Sequence, residues 1–147
     1  MTPERLKELI ENGETLDVEF KGEETTPLND NGLVEAVVCL ANRPGSETGW
    51  LLVGVEDDGR ITGACPRHEG GSIDPRRVQA LIANNTRPSI SCRVWLVDVA
   101  EKHVLAIEVP PSRTPIGTAR GNYARRAIGG LGKPECVPFH FHEMQAL

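Results

Sequence analysis

The residues best suited to chemistry lie in a basic, glycine-rich segment in the second half of the chain. Between Glu108 and Glu135 the sequence contains no acidic side chain. The cations of this segment are Arg113, Arg120, Arg125, Arg126 and Lys133. The planar fork of arginine matches phosphate oxygens, and the interspersed glycines let backbone amides approach a ligand closely. The segment therefore predicts a phosphate-binding surface with these five side chains as its contacts.

Charge is distributed unevenly along the chain, and this leaves a second interpretation open. The formal net charge of the 147 residues is −5, which is not typical of a nucleic-acid-binding protein. Residues 1–58 carry four basic and fourteen acidic side chains, a net of −10, whereas residues 59–147 carry a net of +5. The arginines could therefore pair with the acidic half instead of with phosphate. Aromatic residues make up 4% of the chain, which excludes an extensive stacking platform for single-stranded nucleic acid.

Two groups of carboxylates stand out in the acidic half. Glu14 and Glu19 lie five positions apart, and Glu19 is on a predicted strand close to Lys21. A second group, Glu56-Asp57-Asp58, follows the next buried strand. Strand ends and turns are where a sheet presents functional groups, so both groups are candidate site residues. For Asp57 a structural role stays open, because aspartate in an Asp-Asp-Gly turn bonds to nearby backbone.

One glycine-rich stretch resembles the end of a nucleotide-binding P-loop but lacks its essential residues. The stretch is Gly129-Gly130-Leu131-Gly132-Lys133-Pro134. Ala127 occupies the position of the first P-loop glycine, and Pro134 replaces the hydroxyl that would hold magnesium. The sequence therefore argues against ATP hydrolysis.

The four cysteines show neither zinc-knuckle nor redox spacing, so we interpret them as free thiols in a reducing cytoplasm. Cys136, His140 and His142 form the one metal-like group, and the gap from Cys136 to His140 is a permissible zinc spacing. A fourth ligand is missing nearby. The alternation around these residues therefore favours solvated histidines on an edge strand over a zinc site.

Hydrophobic periodicity predicts the elements that position these groups. Capping residues followed by helically spaced apolar residues predict three helices, which begin at Thr2-Pro3, at Asp30 or Asn31, and at Asp74-Pro75. Alternating or continuous apolar runs predict strands over residues 16–21, 49–55, 90–99 and 104–109, with short candidates at 122–127 and 136–141. This order predicts an α+β fold in which about three helices pack on a largely antiparallel or mixed sheet.

Length and segment composition predict the organisation of the chain. We expect a single domain over residues 1–147, with an atypical glycine-rich segment at about 128–147. The longest apolar runs, such as residues 50–53, are far shorter than a membrane span, so no membrane partner is expected. The first residues lead into a charged helix and do not have the pattern of a signal peptide, which predicts a cytoplasmic protein.

Several motifs, taken in order, resemble one known family. They are residues 14–21, Ala41-Asn42, residues 49–59, Ile61-Thr62-Gly63 and Tyr123-Ala124-Arg125-Arg126. This combination resembles the Schlafen-type AlbA-like domain from about Leu6 to Ala127. The chain departs from that pattern after the arginine-bearing strand. Family members often have another helix there, whereas this chain runs through the glycines of residues 129–132.

The resemblance implies two activities. Bacterial members are usually described as DNA-binding modules, often of transcriptional regulators, which implies a stand-alone DNA-binding protein here. In animal Schlafen proteins two such modules form a clamp that cuts transfer and ribosomal RNA, using two glutamates and an aspartate with a divalent metal. The matching residues are Glu14, Glu19 and Asp57, whose hard oxygens suit Mg²⁺ or Mn²⁺. Lys21 would neutralise phosphate charge or pair with a carboxylate.

The leading expectation is therefore a nucleic-acid-binding module that contacts DNA or RNA through the five cations of the basic segment. The first alternative is a Mg²⁺- or Mn²⁺-dependent endoribonuclease that acts on structured RNA through the three carboxylates. The second alternative is a protein-interaction or assembly module, which is consistent with the net charge of −5. Because a clamp needs two copies, a homodimer is also expected.

Overall fold

The computed structural model describes residues 1–145, so the last two residues of the predicted glycine-rich segment lie outside the described part. The helices are α1 (Pro3–Glu11), α2 (Asp30–Ala41), α3 (Pro75–Asn84) and α4 (Phe141–Met144). The strands are β1 (Val18–Lys21), β2 (Gly49–Val53), β3 (Thr86–Arg87), β4 (Arg93–Val99), β5 (Lys102–Val109), β6 (Gly117–Thr118), β7 (Ala124–Ile128) and β8 (Pro134–Pro138). The predicted α+β class is confirmed.

The central sheet is mixed, as predicted. Its strand order is β1-β2-β5-β4, in which β1 runs parallel to β2 and the other neighbours are antiparallel. The two remaining strand pairs, β3 with β6 and β7 with β8, are antiparallel and lie outside this sheet. Because β1 and β2 are parallel, their carboxyl ends meet at one edge of the sheet.

Each face of the central sheet carries its own hydrophobic core. Alternating residues of β2 and β5 point to opposite faces, so Leu51 and Leu105 pack with α2 and α3, whereas Leu52 and Val104 pack with α1. Helix α2 is apolar nearly all round, and the structure buries eight of its twelve residues, including all of its apolar side chains. Among the described residues, no helix is long and apolar enough to cross a membrane.

Side chains outside the helices fix where α2 begins and ends. The N-cap of α2 is Asn29, whose side chain accepts the Gly32 N–H at 2.7 Å, so the predicted caps Asp30 and Asn31 are wrong by one or two positions. At the other end the fully buried Arg43 donates to the Leu40 carbonyl at 2.7 Å and to Asp17 at 2.9 Å. The second of these bonds ties α2 to the segment that leads into β1.

Asn42, which directly follows α2, attaches the C-terminal part of the chain to the core. The side chain is 2% exposed. Its amide nitrogen donates to the carbonyls of Ile116 at 2.8 Å and Ala124 at 2.7 Å, and its oxygen accepts the Ile116 N–H at 2.8 Å. These bonds position β7 beside α2, at the start of a hairpin formed by β7 and β8.

The C-terminal segment differs from the prediction in two ways. The predicted edge strand at 136–141 ends early, because Glu143 accepts the His140 N–H at 3.1 Å and starts α4, which contains His142. The prediction that all four cysteines are free is also wrong. Cys39 of α2 and Cys136 of β8 form a disulfide, with their Cα atoms 5.8 Å apart, because the hairpin packs directly on α2.

Candidate functional site

A cleft of about 670 Å³ opens at the edge of the sheet where β1 and β2 end. We call it the acidic cleft, because its lining includes the carboxylates of Glu14, Glu19, Glu56, Asp57, Asp58 and Glu135. The lining also contains two cations, Lys21 and Arg60. Residues 134–136 of β8 form one wall of the cleft. The structure thus brings all three predicted carboxylates, Glu14, Glu19 and Asp57, into one cavity.

The parallel pairing of β1 with β2 explains why these residues meet. Lys21 at the end of β1 lies beside Val53, and the Gly54 N–H donates to the Lys21 carbonyl at 2.8 Å. The chain can then turn back only through Gly54, which has a φ of +103° and whose added Cβ would lie 2.6 Å from the Ala64 nitrogen. This turn delivers the acidic residues 56–58 to the carboxyl end of β1.

Glu19 is the most enclosed carboxylate of the acidic cleft. Strand alternation turns it away from Val18 and Phe20, which pack in the α1 core, and leaves it 8% exposed. One of its oxygens bonds to Arg126 Nη1 at 2.7 Å, and the other lies 3.3 Å from Lys21 Nζ. Both oxygens of Glu19 are therefore already engaged by cations of the chain itself.

Arg126 is buried, which corrects its predicted role as a phosphate contact. The residue is 1% exposed. Besides its ion pair with Glu19, it donates to the Thr15 carbonyl at 2.9 Å and to the Val18 carbonyl at 2.7 Å. The long side chain of Arg126 thus reaches from β7 to β1, and its guanidinium anchors the hairpin to the sheet.

Glu14 approaches β1 from the preceding loop and accepts the Phe20 N–H at 2.8 Å. Burial raises the pKa of Glu14 above its usual value, and the neighbouring negative charges of Glu19 and Asp57 raise it further. The hydrogen bond from Phe20 and the charge of Arg126 act in the opposite direction on this pKa. Burial and the neighbouring carboxylates thus both favour the protonated form of Glu14.

Residues 56–58, which we call the acidic turn, have different roles. Asp58 accepts from the backbone and the guanidinium of Arg60, at 3.1 and 2.7 Å. Glu56 accepts the Thr62 hydroxyl at 2.6 Å. Asp57 is exposed, and its carboxylate makes no hydrogen bond or ion pair with other residues in the 1–145 range. Of the three, Asp57 is thus the carboxylate available to a ligand.

The acidic cleft does not form a ready-made metal site, although the chemistry of its oxygen donors suits Mg²⁺ or Mn²⁺. Within the described part of the chain, no three His, Cys, Asp or Glu side chains are gathered closely enough to hold an ion. In addition, Lys21 and Arg126 occupy both oxygens of Glu19. A divalent metal would have to compete with these two internal cations.

The group of Cys136, His140 and His142, whose spacing is permissible for zinc although the sequence does not favour a zinc site, does not present three free ligands in the described structure. Cys136 is bonded to Cys39, so its sulfur is not a thiolate in this structure. The rings of His140 and His142 stack with their centroids 5.9 Å apart.

The remaining cations of the basic segment belong to different loops and strands. Arg125 is partly buried and pairs with Glu143. Arg113 and Arg120 are exposed on the loops around β6, and Lys133 is exposed in the β7–β8 turn, next to the cleft wall. Within residues 1–145 these last three side chains make no ion pair.

Sequence reasoning missed three residues that shape the site. Arg60 is a cation of the acidic cleft, and its position directly after the acidic turn was an available signal. Glu135 is the first acid after the basic segment and lies in the cleft wall, but nothing local in the sequence indicates this. Asn42 belongs to the family-like motif Ala41-Asn42, but nothing in the sequence indicated that its side-chain amide would bind the backbone of a distant segment.

The chain matches one family model and several solved structures. The family model described as Schlafen, AlbA_2 matches residues 14–130. No curated protein matches significantly, whereas nine chains of solved structures do.

Two of these solved structures match nearly the whole chain. The first is the N-terminal domain of a protein from Nitrosomonas europaea described as related to the ATP-dependent DNA helicase RecG. It is 25% identical with a TM-score of 0.56, and the match covers 92% of this chain and 95% of that domain. The second is the DIP2311 protein of Corynebacterium diphtheriae, which is 24% identical with a TM-score of 0.66. That match covers 92% of this chain and 29% of the DIP2311 chain, and it shows the fold alone. Because the family model covers most of the sequence, the chain belongs to the Schlafen AlbA_2 family.

Proposed function

We propose that the protein is a nucleic-acid-binding module, with DNA as its first partner. The observation that carries this proposal is that Arg113, Arg120 and Lys133 are exposed without an ion-pair partner within residues 1–145. Such side chains are free to replace the counterions of a phosphate backbone. The similarity to the N-terminal domain of a protein related to a DNA helicase supports DNA as the partner.

The salt dependence of binding tests this proposal. For three phosphate contacts on B-DNA, the affinity is expected to fall about 40-fold between 50 and 200 mM salt. Fluorescence anisotropy with a labelled DNA duplex and a labelled RNA hairpin measures this slope for each partner. A variant with Arg113, Arg120 and Lys133 all changed to Ala should lose most of the slope.

A matched variant controls for the change in net charge. It removes three exposed cations outside the basic segment, namely Lys7, Arg76 and Lys102. This variant should keep the salt dependence of the unmodified protein. Equal losses in both variants would show that binding follows total charge and not the proposed contacts. If neither nucleic acid binds at 50 mM salt, the remaining candidate is a protein-interaction module.

A metal-dependent endoribonuclease is the second candidate, and the observation that favours it is the meeting of Glu14, Glu19 and Asp57 in one cleft. Asp57→Asn is the cleanest probe, because Asp57 has no internal partner among the described residues. Asp58→Asn is the control, since Asp58 bonds to Arg60. Purified protein is incubated with transfer RNA and Mn²⁺. Cleavage that is lost in Asp57→Asn alone supports the nuclease, and no cleavage leaves binding as the function.

We also propose a cytoplasmic homodimer, since a clamp around a duplex needs two modules. The edge strand β4 of the central sheet has one unpaired side on which a second copy could dock, whereas the outer side of β1 is covered by Arg126. Light scattering behind a sizing column measures the mass directly. A mass near the 16.0 kDa of one chain, with and without DNA, would refute the dimer.

A further inference from the structure

Beyond its ladder with β7, the wall of the acidic cleft formed by β8 is held to the rest of the protein at few points. Strand β8 is largely exposed, and its neighbour in the ladder is β7. Two features attach β8 directly to the core, namely the Cys39–Cys136 disulfide and the buried Phe139 that follows the strand. Of these two features, the disulfide lies within the wall itself, which is formed by residues 134–136, whereas Phe139 lies beyond it.

The two sulfur atoms of this disulfide have very different surroundings. Cys39 lies in the middle of α2 and is 0% exposed, whereas Cys136 is exposed at the cleft. A thiol reagent in solution can therefore approach Cys136 but not Cys39. Exposed disulfides are the labile and regulatory ones, whereas inaccessible disulfides resist reduction.

Strand β7 is attached to the core independently of the disulfide. Arg126 bonds to Glu19 and to two carbonyls before and within β1, and Asn42 bonds to the Ala124 carbonyl. These contacts do not depend on the oxidation state of sulfur. Breaking the disulfide should therefore loosen β8 and the turn that carries Lys133, and leave β7 and the central sheet in place.

We propose that the Cys39–Cys136 disulfide is a thiol-redox switch that fastens or releases the wall of the acidic cleft. In the oxidised form the wall and Lys133 are held at the cleft, and in the reduced form they are released. The consequence for nucleic-acid affinity rests on the proposed function. A cation held in place binds phosphate with less loss of conformational entropy, so the oxidised form should bind more tightly.

The reaction needs a dithiol reductant, the chemical class to which thioredoxin-type proteins and dithiothreitol belong. A thiolate of the reductant attacks the Cys136 sulfur, the bond to Cys39 breaks, and the Cys39 sulfur leaves and takes up a proton. The second thiolate of the reductant then attacks the mixed disulfide and releases Cys136. Two electrons pass to the protein, and the reductant becomes a cyclic disulfide.

Hydrogen exchange with mass spectrometry tests the switch without reference to nucleic acid. On reduction with dithiothreitol, the amides of residues 129–136 should exchange about 10-fold faster, whereas those of β2 and β5 should not change. Thiol titration in denaturant should count two free thiols before reduction, Cys65 and Cys92, and four after it. Four thiols before reduction, or identical exchange in both forms, would overturn the proposal.

Two variants separate the disulfide from other effects of the reductant. Cys136→Ser should exchange like the reduced protein whether or not dithiothreitol is present, and Cys65→Ser should respond like the unmodified chain. If Cys136→Ser does not fold, the comparison of the oxidised and reduced unmodified protein decides alone.

Anisotropy with the labelled DNA duplex then measures the consequence for binding. The oxidised form should bind the duplex at least about threefold more tightly than the reduced form. Equal affinity of the two forms refutes control of binding by the wall. Absence of binding in both forms refutes the proposed function, whereas the exchange experiment still decides whether the disulfide controls the order of the wall.

Discussion

The ion pair between Arg126 and Glu19 gives the sharpest test of how the hairpin and the acidic cleft are held together. Arg126→Met keeps most of the apolar stem and removes the charge. It leaves Glu19, which is 8% exposed, without its partner at 2.7 Å, and it takes away the donors to Thr15 and Val18. Removing one member of a buried pair costs about 3–5 kcal/mol.

The lower end of that range applies here, because Lys21 remains 3.3 Å from the other oxygen of Glu19. Lys21 is 39% exposed and compensates only in part. Urea denaturation followed by circular dichroism measures the loss. With a slope of about 2 kcal/mol per molar urea, a loss of about 3 kcal/mol lowers the midpoint by about 1.5 M.

The neighbouring arginine provides the matched control. Arg125 is 30% exposed and pairs with Glu143 near the end of the described chain, so Arg125→Met should cost at most about 1 kcal/mol. Adding Glu19→Gln to Arg126→Met should recover part of the loss, because the uncompensated charge is then removed. The interpretation of Arg126 as a buried anchor would be refuted if its substitution cost no more than that of Arg125.

Three further predictions concern other supports of the site. Asn42→Ala should destabilise the protein by about 3 kcal/mol in urea denaturation, because it leaves buried groups at Ile116 and Ala124 without partners. Gly54→Ala should cost at least about 2 kcal/mol by the same measurement, because φ is +103° and the new Cβ would meet backbone at 2.6 Å. Glu14→Gln should gain stability relative to the unmodified protein as the pH rises from 4 to 7. The pKa of Glu14 is raised in the folded state, so the folded protein is stabilised by this group below the unfolded pKa and loses that stability as the pH rises through the folded pKa. Urea midpoints across this pH range measure the difference, and parallel curves for the two proteins would contradict the raised pKa.

The main elements of the fold could be predicted because their signals are local. Thr2 before Pro3 marks the start of α1, and the Thr2 side chain does accept the Arg5 N–H at 3.1 Å. Asp74 likewise caps α3 by accepting the Arg76 N–H at 3.0 Å. The family-like motifs also predict that Glu14, Glu19 and Asp57 share one site, and all three line the acidic cleft. Each of these predictions depends on a few adjacent residues or on motifs of fixed order.

The errors of prediction arise where distant parts of the chain pack together. Arg126 has the same charge and local setting as an exposed arginine, and it is buried because its side chain bonds to Glu19, 107 residues earlier in the sequence. The disulfide similarly joins cysteines 97 positions apart, with no spacing motif to reveal it. Local sequence carries no information on such pairings. The same long-range packing therefore decided both which cations remain exposed and which sulfur atoms meet.

The charges around the acidic cleft restrict how a polyanion can approach it. Six carboxylates line the cleft against two cations, and Arg126 neutralises one of them from behind. Phosphate groups are therefore repelled from the interior and must first contact the exposed cations outside it. Among the exposed cations Arg113, Arg120 and Lys133, it is Lys133 that directly precedes the cleft wall, one position before Pro134. If the protein binds nucleic acid as proposed, the position of β8 decides whether the phosphate backbone lies beside Asp57 or away from it. For this reason the attachment of that strand, through Cys136, bears on both the proposed binding and the proposed cleavage.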